Sequence, residues 1–384
     1  MRITGGQVFD LEQGFVSRDV CFDGEKLEQS SAGGKTYDAS GCYVIPGLTD
    51  LHFHGCVGED FSDATPDGLQ KMADYELSRG VTQICPAGMT LGEDQLTRIC
   101  QNAAAHRAKN PGGAELVGLH LEGPFLCKAK KGAQNEAFLH DPDPAMLHRL
   151  QQAAQGMVKL VTLAAEQPGA LEFIRSAQED GITVSLGHTT ADYDTARAAS
   201  PWPAAYEAGA RQATHLFNAM PPFTHRAPGV VGAAFDHPQV KVELISDGVH
   251  IHPSVVRAVF QLFGAHRVIL ISDSLRATGM PDGRYPFGGQ EIEVHGNRAT
   301  MADDPNTLAG SVSDLMACMR SAVSFGIPFH DAVRAAAVNP AQVLGIFDRL
   351  GSLDVGKTAN LAILDRDLNL KDVFFRGQLV DRGA

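Results

Sequence analysis

The chain has 384 residues, of which 44% are hydrophobic and 20% charged, a composition typical of a globular protein and not of a disordered or fibrous one. Its length predicts one large domain with a smaller satellite. The formal net charge of -13 and the lack of a Lys/Arg-rich run argue against a nucleic acid or an anionic membrane as partner.

The start of the chain and its cysteines indicate a compartment. The first residues, MRITGGQVFD, show no basic segment followed by an apolar run, and no stretch approaches the roughly 18 apolar residues of a membrane span. The seven cysteines form no CxxC pair, and their odd number suits reduced thiols better than a disulfide framework. The sequence therefore predicts a cytoplasmic protein.

Short runs rich in Val, Ile and Leu alternate with Ala/Leu-rich stretches along most of the chain. The runs predict buried strands at about 44–54, 81–87, 115–122, 158–166, 182–188, 212–218, 241–247 and 267–273. Stretches such as 66–80 and 169–181 leave room for helices, and Pro66 and Pro253 lie where a first helical turn can begin. Eight such units favour an α/β fold of the (β/α)8 TIM type over a doubly wound open sheet.

The two ends of the chain have a different character. Residues 1–43 are Gly-rich with short alternating runs that predict β-hairpins, and residues 351–384 resume that pattern. We therefore expect a small β-sandwich domain built from both ends, with the barrel at residues 44–350 inserted between them. Two unrelated tails are the alternative.

Polar side chains terminate several of the predicted strands. His52 and His54 form an HxH pair at the end of the first strand, and side chains two apart on a strand point to the same face. The third, fifth, sixth and eighth strands end in Glu122, His188, His215 and Asp273. Such groups at the mouth of a barrel offer the nitrogen and oxygen ligands that zinc or iron accepts. Core histidines and helix caps are the alternative interpretation.

Five ordered motifs resemble those of the amidohydrolase superfamily: PGLTDLHFHG, HLEGPF, GHTTA, THLFNAM and ISDS. Within it, the second and fourth resemble the N-acetylglucosamine-6-phosphate deacetylase family, and the resemblance continues to the closing GSLDVGKTANLAILD. The resemblance implies metal-dependent hydrolysis of the acetamide C–N bond of N-acetylglucosamine-6-phosphate, giving glucosamine-6-phosphate and acetate. Deacetylation of the galactosamine epimer, hydrolysis of another amide and a non-enzymatic scaffold are the alternatives.

The resemblance implies a role for each strand-end group. It assigns Glu122, His188 and His215 to a principal metal, and it assigns His52 and His54 to a second metal that Glu122 bridges. One or two ions per subunit, zinc or iron, are expected. Asp273 is expected to accept a proton from the metal-activated water that attacks the carbonyl, and then to protonate the leaving amine.

The resemblance also implies the residues that bind the substrate. Arg226 and His250 are expected to recognise the phosphate, partly across the interface of a homodimer, and a guanidinium suits phosphate oxygens. The sugar pocket is expected to be lined by Asn218, Ala219, Leu308 and Ala309.

One loop, KKGAQNEAF, departs from the family pattern. Ala133 and Gln134 in this loop are expected to bind the substrate, and Gln134 stands where the family often carries a histidine that polarises the substrate carbonyl. A glutamine amide donates a hydrogen bond but carries no charge. We therefore hypothesise that the second metal, held by His52 and His54, supplies the missing polarisation.

Overall fold

The computed structural model describes residues 1–30, 34–109, 111–197 and 205–381. In these ranges no helix is both long enough and apolar enough to cross a membrane.

Parallel strands form the barrel wall at the predicted positions. They are Leu48–Asp50, Val81–Ile84 with Ala87–Gly88, Glu115–Leu116 with Leu119–Glu122, Val158–Leu163, Thr183–Leu186, Gln212–Ala213, Lys241–Ile245 and Val268–Ile271. Each pairs in parallel with the next along the chain. The backbone N–H of Asp273, beyond the eighth strand, donates to the carbonyl of His52, beyond the first, at 2.9 Å and closes the ring. The TIM-type barrel is therefore confirmed over the open sheet.

Helices fill most of the connections between these strands. The longer ones are Pro66–Ser78, Glu93–Lys109, Pro144–Ala153, Ala170–Glu179, Gly229–Asp236, Pro253–Phe263 and Leu315–Ser324. Shorter ones are Tyr193–Arg197, Ala205–Ala208, Phe329–Val333 and Asn339–Val343, with a π-helical turn at Arg334–Val338 and 3-10 turns at Phe61–Asp63, Lys128–Lys130 and Glu136–Phe138. Pro66 and Pro253 begin their helices as predicted, because the first helical position needs no N–H donor.

Strands from the two chain ends share one sheet. Its six strands, in spatial order, are Gln378–Leu379, Leu370–Phe375, Leu361–Leu364, Tyr43–Pro46, Gln7–Asp10 and Gly14–Ser17. A second sheet orders Lys26–Glu28, Val20–Asp23, Arg2–Thr4 and Thr36–Asp38. Ile3, Phe22 and Phe374 belong to a hydrophobic cluster that includes residues from both ends. Residues 31–33 and 382–384 of the predicted terminal segments lie outside the described residues.

The strand predicted at 44–54 consists of two strands in different sheets. Tyr43–Pro46 pairs with Leu361–Leu364 in the terminal sheet, whereas Leu48–Asp50 begins the barrel. Between them, a Cβ on Gly47 would lie 2.0 Å from Thr82 Oγ1, so this approach requires glycine. The run is buried throughout, and its continuous hydrophobicity therefore concealed the break.

A three-stranded antiparallel sheet beyond the eighth barrel strand was not predicted. Its strands are Gly283–Phe287, Gln290–His295 and Arg298–Met301. Gly-Gly and Gly-Asn dipeptides separate these alternating runs and are a signal for two hairpins. Phe287 ends the first strand and lines the cavity at the barrel mouth.

Candidate active site

Four imidazole rings converge on the carboxylate of Glu122 at the mouth of the barrel. Nε2 of His52, His188 and His215 lies 3.3, 3.3 and 3.0 Å, respectively, from Oε1 of Glu122. Nε2 of His54 lies 3.2 Å from the other oxygen, Oε2. All five side chains are buried. They meet because the carboxyl ends of parallel barrel strands open at the same face.

The backbone turns sharply where three of these strands end. His188, His215 and Asp273 have φ angles of 47°, 27° and 50°. Non-glycine residues rarely adopt this left-handed conformation, which costs of order 1–3 kcal/mol per residue and is concentrated at functional sites. We infer that the surrounding structure maintains this strain and that it helps to direct the three side chains into the mouth.

The Asp273 carboxylate lies between the HxH pair and the open cavity. Its Oδ1 is 3.3 Å from Nε2 of His54 and 3.7 Å from Nε2 of His52. Asp273 and His54 both line the cavity, whereas His52 is fully buried. The carboxylate can therefore reach a water or a substrate in the cavity while it contacts the metal-ligand candidates.

Hydrogen bonds on the far side of the rings orient the imidazoles. Nδ1 of His52 lies 2.8 Å from Oε2 of Glu243, which also accepts the backbone N–H of His215 at 3.1 Å. Nδ1 of His54 and of His188 donates to a backbone carbonyl at 3.1 and 2.8 Å. Such contacts fix ring orientation and leave Nε2 facing the centre. Glu243 was missed in the sequence analysis, although an acidic residue within the apolar strand KVELI was a signal for it.

The mutual contacts shift the pKa values of these groups. Burial alone raises the pKa of Glu122, but the charge of His52 and the hydrogen bonds of His188 and His215 hold it well below its usual range. Burial lowers the pKa of His54, but hydrogen bonds with Asp273 and Glu122 outweigh it and raise the value to about 10. The pKa of Asp273 is lowered because its contacts with His54 and His52 outweigh burial. Both carboxylates are therefore ionised at neutral pH.

The arrangement fits a divalent metal. Two groups of ligand atoms, each within 4.8 Å of one another, belong to Glu122 with His188 and His215, and to His52 with His54 and Asp273. Nε2 of His52 is buried and makes no hydrogen bond within the described residues, although Oε1 of Glu122 lies 3.3 Å away. A buried polar atom without a partner is costly, and a cation bound at this nitrogen would remove that cost. The mixed nitrogen and oxygen set suits zinc or iron.

A cavity of about 610 Å³ opens above these groups. Its volume suits a small-molecule substrate. The predicted substrate residues Ala133, Gln134, Asn218 and Ala219 line it, and so do His250, Leu308 and Ala309. Nδ1 of His250 lies 2.7 Å from Oδ2 of Asp247, which fixes the ring.

Arg226 does not lie with this group. It is exposed on the segment before the helix Gly229–Asp236, and it is not among the described residues that line the cavity of its own chain. Its Nη1 lies 2.6 Å from Nε2 of the neighbouring His225. Within a single chain, the structure therefore separates Arg226 from the other predicted substrate residues.

The side-chain amide of Gln134 forms hydrogen bonds with other residues of the protein. Nε2 of Gln134 donates to Oε2 of Glu122 at 2.5 Å, and Oε1 of Gln134 accepts the backbone N–H of Thr90 at 2.8 Å. The amide oxygen and one of the two amide N–H donors are therefore occupied. Gln134 lines the cavity and positions the Glu122 carboxylate.

The model of the amidohydrolase family matches residues 43–380. The chain belongs to the amidohydrolase family. The match includes every strand-end residue described above, as the resemblance of the motifs predicted. A hydrolase of amide C–N bonds is thereby confirmed at the level of the family.

Named relatives indicate which group of amidohydrolases this chain is similar to. It is 38% identical over 340 residues to the N-acetylglucosamine-6-phosphate deacetylase of Bacillus subtilis (strain 168), covering 88% of this chain and 84% of the relative. It is 34% identical over 337 residues to the N-acetylgalactosamine-6-phosphate deacetylase of Escherichia coli O157:H7, covering 88% and 87%. Among solved structures, the N-acetyl-D-glucosamine-6-phosphate deacetylase of Mycobacterium smegmatis matches with a TM-score of 0.90 at 34% identity, over 99% of this chain and 100% of that one. The predicted resemblance to this deacetylase group is confirmed.

Proposed function

We propose that this amidohydrolase hydrolyses the acetamide of N-acetylglucosamine-6-phosphate to glucosamine-6-phosphate and acetate. The observation that carries the proposal is the convergence of four imidazoles on Glu122, with Asp273 beside them, below a cavity of small-molecule size. The deacetylase relatives, at 34% to 38% identity, support an amino-sugar phosphate as substrate.

We infer that Glu122, His188 and His215 would hold one divalent ion, and that His52 and His54, beside Glu122, would hold a second. Zinc and iron both suit these ligands. When bound, such an ion lowers the pKa of water toward about 7 and polarises the amide carbonyl. Glu243 and Gln134 keep the imidazole of His52 and the carboxylate of Glu122 in place for this purpose.

Asp273 moves the proton in this proposal. Its ionised carboxylate faces the cavity and accepts a proton from the water that attacks the carbonyl carbon. The protonated Asp273 then donates that proton to the amide nitrogen as the C–N bond breaks. Without this step the departing amine is a very poor leaving group, so general acid–base help is required in both halves of the reaction.

We further infer that the enzyme is a homodimer in which Arg226 serves the cavity of the partner subunit. Two observations support this arrangement. Arg226 is exposed and is not part of the described lining of its own cavity, and Phe223 on the same segment is 46% exposed. Aromatic residues are enriched at protein–protein interfaces. His250 binds the same phosphate from within the chain.

The strands at the two chain ends and the cysteines support proposals on domain organisation and cellular location. We propose that residues 1–43 and 351–384 form a small β-sandwich domain around the barrel at 44–350, with the boundary strand Tyr43–Pro46 counted with the terminal sheet. The pairing of Tyr43–Pro46 with Leu361–Leu364 supports this. A cytoplasmic location is supported by seven cysteines that form no disulfide.

The proposed function is tested by kcat/KM on three acetylated sugars with metal-loaded protein. We expect N-acetylglucosamine-6-phosphate to exceed unphosphorylated N-acetylglucosamine by about 10²-fold or more, since hydrogen bonds to a charged group are each worth roughly a factor of ten. A higher kcat/KM for N-acetylgalactosamine-6-phosphate would select the epimer as substrate. Acetate release from none of the three would overturn the proposal.

A further inference from the structure

The rim of the cavity carries a run of cations that the sequence analysis did not single out. Lys128, Lys130 and Lys131 all line the cavity, on the 3-10 turn Lys128–Lys130 and the residue after it. This chain has a net charge of -13, so a local excess of positive charge beside the active site stands out from the rest of the molecule. The sequence signal was the short segment KAKK, which is separated from the end of the HLEGPF motif by two residues.

These lysines differ in their partners. Nζ of Lys128 lies 3.6 Å from Oε1 of Glu136, and the Lys128 side chain is 76% exposed. Among the described residues, the hydrogen-bond acceptor of Lys131 Nζ is the carbonyl of Gly132, at 3.4 Å. In the part of the chain that the structure describes, neither Lys130 nor Lys131 has an acidic side chain within ion-pair distance. Two of the three charges are therefore not neutralised by the protein.

The lysine turn is tied to the metal-ligand candidates. The backbone N–H of Cys127 donates to the carbonyl of His188 at 2.9 Å, and the carbonyl of Lys130 accepts from Nδ1 of His188 at 2.8 Å. The backbone N–H of Gln134 donates to the carbonyl of Lys131 at 3.0 Å, and the Gln134 side chain holds Glu122. The two free ammonium groups are therefore carried by a segment whose position is fixed relative to the reacting centre.

We propose that Lys130 and Lys131 bind the phosphate of the substrate within the same chain and set the preference for a phosphorylated over a neutral amino sugar. The inference rests on the proposed function. In an amino-sugar 6-phosphate the acetamide and the phosphate lie on different sides of the ring, so a substrate held at Glu122 extends its phosphate toward the rim. An ammonium group offers three donors and a full charge to phosphate oxygens.

This assignment differs from one that relies on Arg226 and His250 alone. His250 brings one imidazole, held by Asp247, to that phosphate, and Arg226 is absent from the described lining of its own cavity. Lys130 and Lys131 provide an unneutralised positive charge that each chain brings to its own site. A phosphate held in this way is discriminated from a hydroxyl even where the partner subunit contributes little.

The test is the ratio of kcat/KM for N-acetylglucosamine-6-phosphate to that for N-acetylglucosamine in Lys130→Gln, Lys131→Gln and the double variant. The ratio cancels losses common to both substrates, which a disturbed His188 would produce. We expect each single variant to lower it about 10-fold and the double variant about 10²-fold. Lys128→Gln is the matched control on the same turn, and since its charge is already paired and exposed, its ratio should stay within about twofold. The inhibition constant of inorganic phosphate should rise in parallel with the loss of the ratio.

Two outcomes separate the inference from the function on which it rests. A double variant whose ratio and phosphate inhibition stay within about twofold of the unmodified protein, the effect of a weak exposed charge, would overturn the lysine assignment and leave the deacetylase proposal intact. Unmodified protein that releases acetate from neither sugar would overturn the proposed function, and the lysine assignment with it.

Discussion

Asp273→Asn is expected to lower kcat by about 10²–10⁴-fold, the contribution typical of a positioned acid or base. The variant keeps the shape of the side chain but removes its ability to accept and return a proton. Because Glu122, His188 and His215 form a separate ligand group, we expect at least one metal ion per chain to remain bound. The measurement is steady-state kinetics together with the metal content of the same preparation.

The control for this variant is Asp303→Asn, which removes one exposed carboxylate away from the cavity. Its kcat should match that of the unmodified protein. If Asp273→Asn binds metal and still retains kcat within about threefold of the unmodified enzyme, well below the effect of a general base, proton transfer must be assigned to another group.

The double substitution His52→Asn/His54→Asn is expected to reduce the metal content by one ion per chain and to lower kcat by about 10²–10³-fold, the effect of losing one stabilising group at a developing oxyanion. The physical reason lies with Gln134. Its amide carries no charge, and one of its two N–H donors is already used by Glu122. Under the proposed function, an ion held by the HxH pair would supply the charge that polarises the substrate carbonyl.

Asparagine is chosen because it retains polarity at buried positions, and His54→Asn alone provides a milder variant at the cavity surface. His148→Ala is the control, since His148 is an exposed histidine that pairs with Asp180 and is not among the residues that line the cavity. Thermal unfolding of each variant separates loss of the ion from loss of the fold. Near-normal turnover in the double variant would contradict the role given to the second ion.

The barrel and its strand-end groups were predictable because local pattern carries the information. Parallel buried strands read as continuous apolar runs, and a polar residue such as Glu122 or Asp273 at the end of a run is placed at the mouth by the topology alone. The separate roles of these groups came from the motif resemblance and not from spacing. The strand at 44–54 was drawn too long because hydrophobicity does not reveal a change of sheet at Gly47.

Other parts of the site depend on contacts between distant segments. Glu243 orients His52 across 191 positions of sequence, and no local pattern predicts that pairing. The orientation of Gln134 toward Glu122 likewise follows from the folding of its loop over the mouth and cannot be read from KKGAQNEAF. The placement of Lys130 beside His188 arises in the same way.

The proposed function makes this chain a metal-dependent deacetylase of N-acetylglucosamine-6-phosphate. The most direct measurement is the release of acetate and glucosamine-6-phosphate by protein stripped with a chelator and then reloaded with zinc or iron(II). We expect the stripped protein to be inactive, and the reloaded protein to form both products in equal amounts as metal approaches one or two ions per chain. Equal activity with and without metal, or metal binding without acetate release, would contradict the assignment of a metal-dependent deacetylase.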